Sequence, residues 1–138
     1  AVPSGLAAAA RSLREALREA LARRGEPGGE AWENLNARLA PVGPPRFVPG
    51  ADGPALRYSG DGTAIGAALA ALAGPIVALF TETDPARTRR CANPDCVLWF
   101  LDVTKGGRRR WHEMETCGNA QKARRFRERH RTDGPASR

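Results

Sequence analysis

Residues 87–131 read RTRRCANPDCVLWFLDVTKGGRRRWHEMETCGNAQKARRFRERHR and hold all three cysteines and both histidines of the 138-residue chain. Four of these residues are spaced as Cys91-x4-Cys96, then fifteen residues, then His112-x4-Cys117. An odd number of cysteines argues against a disulfide framework, whereas three thiolates and one imidazole form a closed tetrahedral zinc set. We therefore predict one structural Zn²⁺ bound by these four residues. Because four protein ligands leave no position open for water, we expect this metal not to be catalytic.

Turn and strand signals predict how the chain brings the ligands together. The turn Asn93-Pro94-Asp95 places the first two thiolates on one ion, and residues 97–103 alternate as a strand does. Lys105-Gly106-Gly107 predicts a reversal, after which residues 108–111 can return antiparallel. Such a hairpin would deliver His112 beside the first cysteine pair.

The last ligand is expected at the start of a helix. We predict that this helix runs from Thr116 to about Arg131, so that its positive N-terminal dipole favours the Cys117 thiolate. His130 is a poor alternative ligand, because thirteen residues of helix place it about 20 Å from Cys117. We interpret it as a surface histidine.

Apolar periodicity predicts three helices before the zinc ligands. The first is expected from about Gly5 to Arg24 with Ser4 as its cap, and the second from about Glu30 to Ala40. The third is expected from about Gly62 to Phe80, capped by Asp61. The pair Gly74-Pro75 should kink or split it.

A minor hairpin is predicted between the second and third helices. Its strands would be Arg46–Val48 and Ala55–Tyr58, with Asp52-Gly53 in the turn. We expect Trp32 and Phe47 to be core residues, since this half of the chain has no histidine, no cysteine and no sign of catalytic chemistry.

The uncharged stretch 62–81 has about the length of a membrane span. It is rich in alanine and interrupted by glycine and proline, and its larger apolar residues form one helical stripe. We therefore favour a buried helix over a membrane span. The fold class predicted is mainly α: a helical domain over residues 1–86 with a minor β-hairpin, a small treble-clef-like ββα zinc finger over 87–131, and a tail over 132–138.

The run from Arg89 to Arg129 resembles the CGNR zinc finger, which is named for a Cys-Gly-Asn-Arg signature. The matching pieces are Cys91 and Cys96, Trp99-Phe100-Leu101-Asp102, Arg109-Arg110-Trp111 and Cys117-Gly118-Asn119. The stretch Leu13–Leu79 is similar, more loosely, to the helical ABATE domain that precedes this finger. The family usually has a further N-terminal portion of some tens of residues, which we do not find here.

Two residues depart from the family pattern. His112 stands where the family usually has its third cysteine, which changes the ligand set to Cys3His and should keep zinc. Ala120 replaces the arginine of the signature, so any contact made by that arginine is lost here. The resemblance implies a cytoplasmic, stress-linked, DNA-binding transcription regulator whose helical part is a possible sensor.

Charge is distributed unevenly along the chain. Residues 1–86 hold eight Lys/Arg against nine Asp/Glu, whereas residues 87–131 hold thirteen against five. A basic segment of this kind is typical of nucleic-acid binding. We predict duplex DNA as the partner, with contacts from the basic turn and the last helix: Arg108, Arg109, Arg110, Lys122, Arg124, Arg125, Arg127 and Arg129. Ala120, Ala123 and Phe126 would give this helix a narrow packing face.

Other functions stay open on the sequence alone. The arginines could instead meet an acidic protein, which would make the finger a zinc-stabilised protein-interaction module. RNA binding is a third possibility, although aromatic platforms for bases are sparse. An enzyme is the function that we least expect, and the sequence does not identify a DNA site, an effector or an oligomeric state.

Overall fold

The computed structural model describes residues 3–26, 28–51 and 53–132. The chain divides into two compact units, Ala1–Pro85 and Ala86–Arg138, one residue away from the boundary predicted after residue 86. The first unit contains α1 (Leu6–Ala22), α2 (Glu30–Leu39), β1 (Arg46–Gly50), β2 (Gly53–Arg57) and α3 (Ala64–Thr81). The second contains β3 (Thr88–Arg90), β4 (Trp99–Leu101), a π-helical turn (Met114–Gly118) and α4 (Asn119–Thr132).

The core of the first unit lies among its three helices. Each helix buries one face, as the apolar spacing predicted, and the buried alanines allow the helices to pack closely. Trp32 packs against this core, and its ring meets that of Phe80 at 4.9 Å between centroids. The core residues are Leu13, Ala16, Ala20, Leu35, Leu69 and Ile76. The prediction of a mainly helical fold with a minor hairpin is confirmed.

The helix starts differ from those predicted. Gly5 occupies the N-cap of α1 with a left-handed φ of 85°, and among the described residues no side chain caps this helix. The prediction that Ser4 caps it is therefore wrong. At α3 the cap is Thr63, whose hydroxyl accepts from the Gly66 amide at 2.9 Å. Asp61, the predicted cap, instead accepts from the Thr63 hydroxyl at 2.6 Å and so holds the capping side chain in place.

Helix α3 is continuous through Pro75, so of the two predicted effects of Gly74-Pro75 the split does not occur, and the kink stays a prediction. A proline leaves the carbonyl four residues earlier without its helical donor. That carbonyl belongs to Ala71, and both residues are exposed, so solvent can satisfy it. With a mean hydropathy of 2.0, α3 is long and apolar enough to cross a membrane by length and composition alone. The helix is 28 % buried, and Leu69 and Ile76 place one of its faces in the helical core of the first unit.

Strands β1 and β2 form an antiparallel hairpin in which Phe47 lies opposite Leu56 and Val48 opposite Ala55. The side chains alternate, so Val48 and Ala55 are half-buried while Phe47 and Leu56 lie on the other face. Phe47 is 80 % exposed, and its prediction as a core residue is wrong. The predicted turn at Asp52 lies outside the described residues.

The second unit pairs different strands from those predicted. The segment before the first cysteine, β3, is antiparallel to β4, with Arg89 opposite Phe100. The Cys91 amide extends this pairing by donating to the Leu98 carbonyl at 2.9 Å. Residues 108–111 do return, and the Ala92 amide donates to the Arg110 carbonyl at 2.8 Å, but they are not a strand.

Candidate metal centre

The structure brings the four predicted ligands together. The Sγ atoms of Cys91, Cys96 and Cys117 and a ring nitrogen of His112 all lie within 4.8 Å of one another. Zinc–sulfur bonds of about 2.3 Å in a tetrahedron require sulfur–sulfur distances of about 3.8 Å. Small side-chain adjustments therefore suffice, and the donor set is the borderline-soft one that zinc prefers. The site fits one zinc ion and has no free coordination position for a substrate.

The first two ligands sit on a tight turn. The Cys96 amide donates to the Asn93 carbonyl at 2.9 Å, and the Leu98 amide donates to the Cys96 Sγ at 3.5 Å. Amides directed at a thiolate stabilise its negative charge. The predicted turn at residues 93–95 therefore closes the loop, and the Leu98 amide that follows it contacts the Cys96 sulfur.

Asn93 links this turn to the fourth ligand, a role that the sequence did not reveal. Its Nδ2 atom donates to the Cys117 Sγ at 3.3 Å, and its Oδ1 atom accepts from Gln121 Nε2 at 2.9 Å. Asn93 is 9 % exposed, so these contacts replace its hydration. The amide thus connects the turn, the Cys117 thiolate and the first turn of α4. Asparagine and glutamine are common in turns and helices. Their positions in the sequence therefore did not indicate that these two side chains would form a hydrogen bond.

Arg109 positions the third ligand. Its guanidinium donates to the carbonyls of Trp111, at 2.9 Å, and of His112, and it lies 5.2 Å from the centre of the Phe100 ring. The guanidinium thus holds the segment that carries His112. Arg109 as a DNA contact stays a prediction.

Asp102 holds the loop that leads back to His112. It is 1 % exposed, and its carboxylate accepts from the Thr104 amide at 3.0 Å and the Arg109 amide at 2.8 Å. Arg89 lies 3.9 Å away. Hydrogen bonding from the Thr104 hydroxyl, above all, keeps the pKa of this carboxyl below its usual value, against the effect of burial. Asp102 is therefore an ionised, fully hydrogen-bonded residue of the finger.

The cysteines differ in acidity. Burial raises the pKa of Cys91, but hydrogen bonds from the Asn93 amide and from His112 outweigh it and lower the pKa to about 6. At Cys96 the Leu98 amide lowers the pKa, whereas burial and the neighbouring thiols Cys117 and Cys91 raise it, and the net direction is upward. Cys91 therefore loses its proton readily. A thiol that ionises after it does so beside a negative charge, which opposes its ionisation.

Helix α4 carries most of the predicted DNA contacts on an exposed surface. From Asn119 to Arg131, the described side chains are exposed apart from the half-buried Gln121. The predicted packing face is therefore wrong: Ala120 and Ala123 are exposed and Phe126 is 55 % exposed. The exposed predicted contacts are Arg108 and Arg110 in the turn and Lys122, Arg124, Arg125, Arg127 and Arg129 on α4. His130 is not among the clustered ligands, in agreement with its interpretation as a surface residue.

Together, the helical unit and the Cys3His centre define a zinc-finger protein with a helical N-terminal part. The family comparison agrees: the CGNR zinc finger model matches residues 87–130, and the ABATE model, whose description is "Putative stress-induced transcription regulator", matches residues 1–83. The chain belongs to the ABATE family and carries a CGNR zinc finger with one zinc site. No curated protein and no solved structure matches it significantly.

Proposed function

We propose that this protein is a cytoplasmic, non-enzymatic transcription regulator that binds duplex DNA through its zinc finger. The observation that carries the proposal is α4, a basic helix of 14 residues whose side chains from Lys122 to Arg131 are exposed and which is anchored to the metal centre at its first turn. A structural zinc site contributes on the order of 10–16 kcal/mol to folding, so a finger of this size can hold such a helix without a large core.

The basic residues of α4 form two rows. Lys122, Arg125 and Arg129 share one face because they are spaced i, i+3, i+7, and we call them the first basic stripe. Arg124, Arg127 and Arg131 repeat the same spacing on the far side and form the second basic stripe. At about 100° per residue the two stripes point in roughly opposite directions. Arg124 is partly neutralised, since it pairs with Glu128 at 2.9 Å.

Two opposed basic stripes suit a helix in the major groove. The groove is about 12 Å wide, close to the diameter of a helix with its side chains, and a phosphate backbone runs along each wall. A helix lying there would present one stripe to each strand. Arg108 and Arg110 in the turn could add further phosphate contacts.

The treble-clef-like architecture belongs to the same proposal. It is supported by the order of the elements, since the cysteine turn connects the antiparallel strands β3 and β4, and the last ligand lies in the turn immediately before α4. A solution structure of the zinc-loaded protein tests it.

The test is a titration of a fluorescent duplex at several salt concentrations. If about five phosphates are neutralised, log K should fall against log salt with a slope of roughly −4 to −5. Replacing the first basic stripe by alanine (Lys122→Ala, Arg125→Ala, Arg129→Ala) should reduce the slope by up to about 3, because each phosphate contact contributes about 0.9.

The matched control replaces three exposed arginines of the first unit by alanine (Arg11→Ala, Arg23→Ala, Arg38→Ala). It lowers the net charge of the protein by the same amount as the first-stripe variant. This control should keep the wild-type slope. Equal losses in both variants would show that only overall charge matters, and absence of binding at low salt would favour an acidic protein partner instead. Zinc content measured on each variant confirms that the finger is intact.

A further inference from the structure

A third face of α4 carries aromatic side chains that lack a core to pack on. Ala123, Phe126 and His130 are spaced i, i+3, i+7, and we call them the aromatic strip. Phe126 is 55 % exposed, and its ring meets the His130 ring edge-on with 4.1 Å between centroids. The two rings together form an exposed aromatic surface on a helix that is otherwise mostly basic and polar.

Gln121 fixes the direction in which this strip points. Its side chain bonds Asn93 in the metal centre, so the Gln121 side of α4 faces the finger. At about 100° per residue, the aromatic strip lies on the opposite side of the helix from Gln121 and about 100° from each basic stripe. The strip is therefore the surface furthest from the finger, with one row of cations on either side.

We propose that the aromatic strip contacts base edges in the major groove and that Phe126 recognises C5-methyl groups, which thymine displays there. The inference rests on the proposed DNA-binding function and adds the residue that discriminates between bases. If the basic stripes lie along the two phosphate walls, the strip between them faces the floor of the groove. An apolar ring there can bury a thymine methyl, whereas it offers no partner to the polar edges of guanine or cytosine.

The basic stripes on either side of the aromatic strip favour DNA over an apolar protein surface as its partner. A protein groove that covered Phe126 would also cover parts of both stripes, and burying guanidinium groups without acceptors is costly. The major groove supplies phosphate acceptors on both sides of the same strip. DNA can therefore provide partners for both basic stripes and for the aromatic strip at the same time.

The experiment compares duplexes that differ only in the C5 methyl. One pair is an alternating dA·dT duplex against the same duplex with deoxyuridine in place of thymidine. The other is an alternating dG·dC duplex against its 5-methylcytosine form. Burying one methyl corresponds to about a fourfold gain in affinity, so each methylated duplex should bind at least about fourfold tighter to the wild type.

Phe126→Ala should abolish this methyl preference while keeping the salt slope and the zinc content, and Phe126→Leu should keep part of it. The first-stripe variant should show the reverse, with a reduced slope and the preference retained. Equal wild-type affinity for methylated and unmethylated duplexes, with salt-dependent binding intact, overturns this inference and leaves the proposed function standing. If Phe126→Ala keeps the preference for methylated duplexes, the assignment of that preference to Phe126 is overturned. The assignment is also overturned if the protein binds single strands more tightly than duplexes and this binding depends on Phe126. Absence of binding to every duplex overturns both proposals.

Discussion

Asn93 shows how one uncharged residue can control a metal centre. Its Nδ2 atom donates to the Cys117 Sγ, while its Oδ1 atom accepts from Gln121. Asn93→Asp keeps the shape and the acceptor but replaces the donor by a charged oxygen beside the thiolates. We expect zinc affinity to fall at least about tenfold, since outer contacts of this kind typically contribute 10–100-fold.

Competition with a chromogenic chelator measures that affinity. Asp95→Asn, the reverse exchange at an exposed position two residues away, serves as the control and should change it little. Unchanged zinc affinity in Asn93→Asp would mean that the amide contributes nothing to the site.

His112 lies where the family usually has a cysteine, and its imidazole is 3.5 Å from the Cys96 Sγ. His112→Cys should retain zinc, because a fourth thiolate also completes a tetrahedral site. His112→Ala should release zinc to chelator much faster than wild type, and His130→Ala should not. Stopped-flow chelation of the three variants provides the measurement. Faster release from His130→Ala than from His112→Ala would show that the ligand set is wrong.

The ligands could be predicted from the sequence because cysteine and histidine are rare in it, and all three cysteines and one of the two histidines lie within 27 residues, from Cys91 to Cys117. The residues that orient them could not. Asn93 and Gln121 are 28 residues apart in the sequence, and only the fold brings their side chains together. Arg109 is one of twenty arginines, and nothing local separates its internal role from the solvated roles of its neighbours.

At the scale of single elements, the start of α3 depends on one hydroxyl. The Thr63 side chain accepts from the Gly66 amide, which otherwise has no helical partner. Thr63→Ala should lower the stability of the first unit by about 1 kcal/mol, which corresponds to about 4–8 °C in a domain of this size. Thermal unfolding followed by circular dichroism measures the change.

Ser4→Ala is the control for this prediction. Ser4 has the residue type of a cap, yet the structure gives its helix a glycine N-cap and no capping side chain among the described residues. Its melting temperature should therefore equal that of the wild type. A loss as large as that of Thr63→Ala would show that Ser4 does cap α1.

Helices were easier to predict than strands for a physical reason. The apolar faces of α1, α2 and α3 repeat along the sequence, so each helix could be recognised by itself. The alternation at residues 97–103 indicated a strand correctly but carried no information about its partner. The pairing with residues 88–90 is instead set by the turn that closes the metal site, through the bond between the Cys91 amide and the Leu98 carbonyl.

At the scale of the whole molecule, the two units are stabilised by different means. The first has an apolar core of its own, whereas the ligand cluster lies entirely in the second. Adding a strong chelator should therefore remove the finger and α4 while most of the helical circular dichroism persists. Loss of all helical signal would show that the two units unfold as one. Adding zinc back should restore the part of the circular dichroism signal that comes from the finger and α4.

The near absence of an apolar core in the second unit also has a thermal consequence. Among the residues of this unit whose burial the structure describes, 86–131, those buried are Cys91, Asn93, Asp102, Cys117 and Gly118, while Val97 and Val103 are 57 % and 77 % exposed. The heat capacity increment of unfolding grows with the apolar surface that becomes hydrated, about 12–15 cal/mol/K per residue in ordinary domains. The finger should fall below this range, so its stability curve is nearly flat between cold and warm conditions. Free zinc concentration, rather than temperature, then decides how much of the protein carries a folded finger.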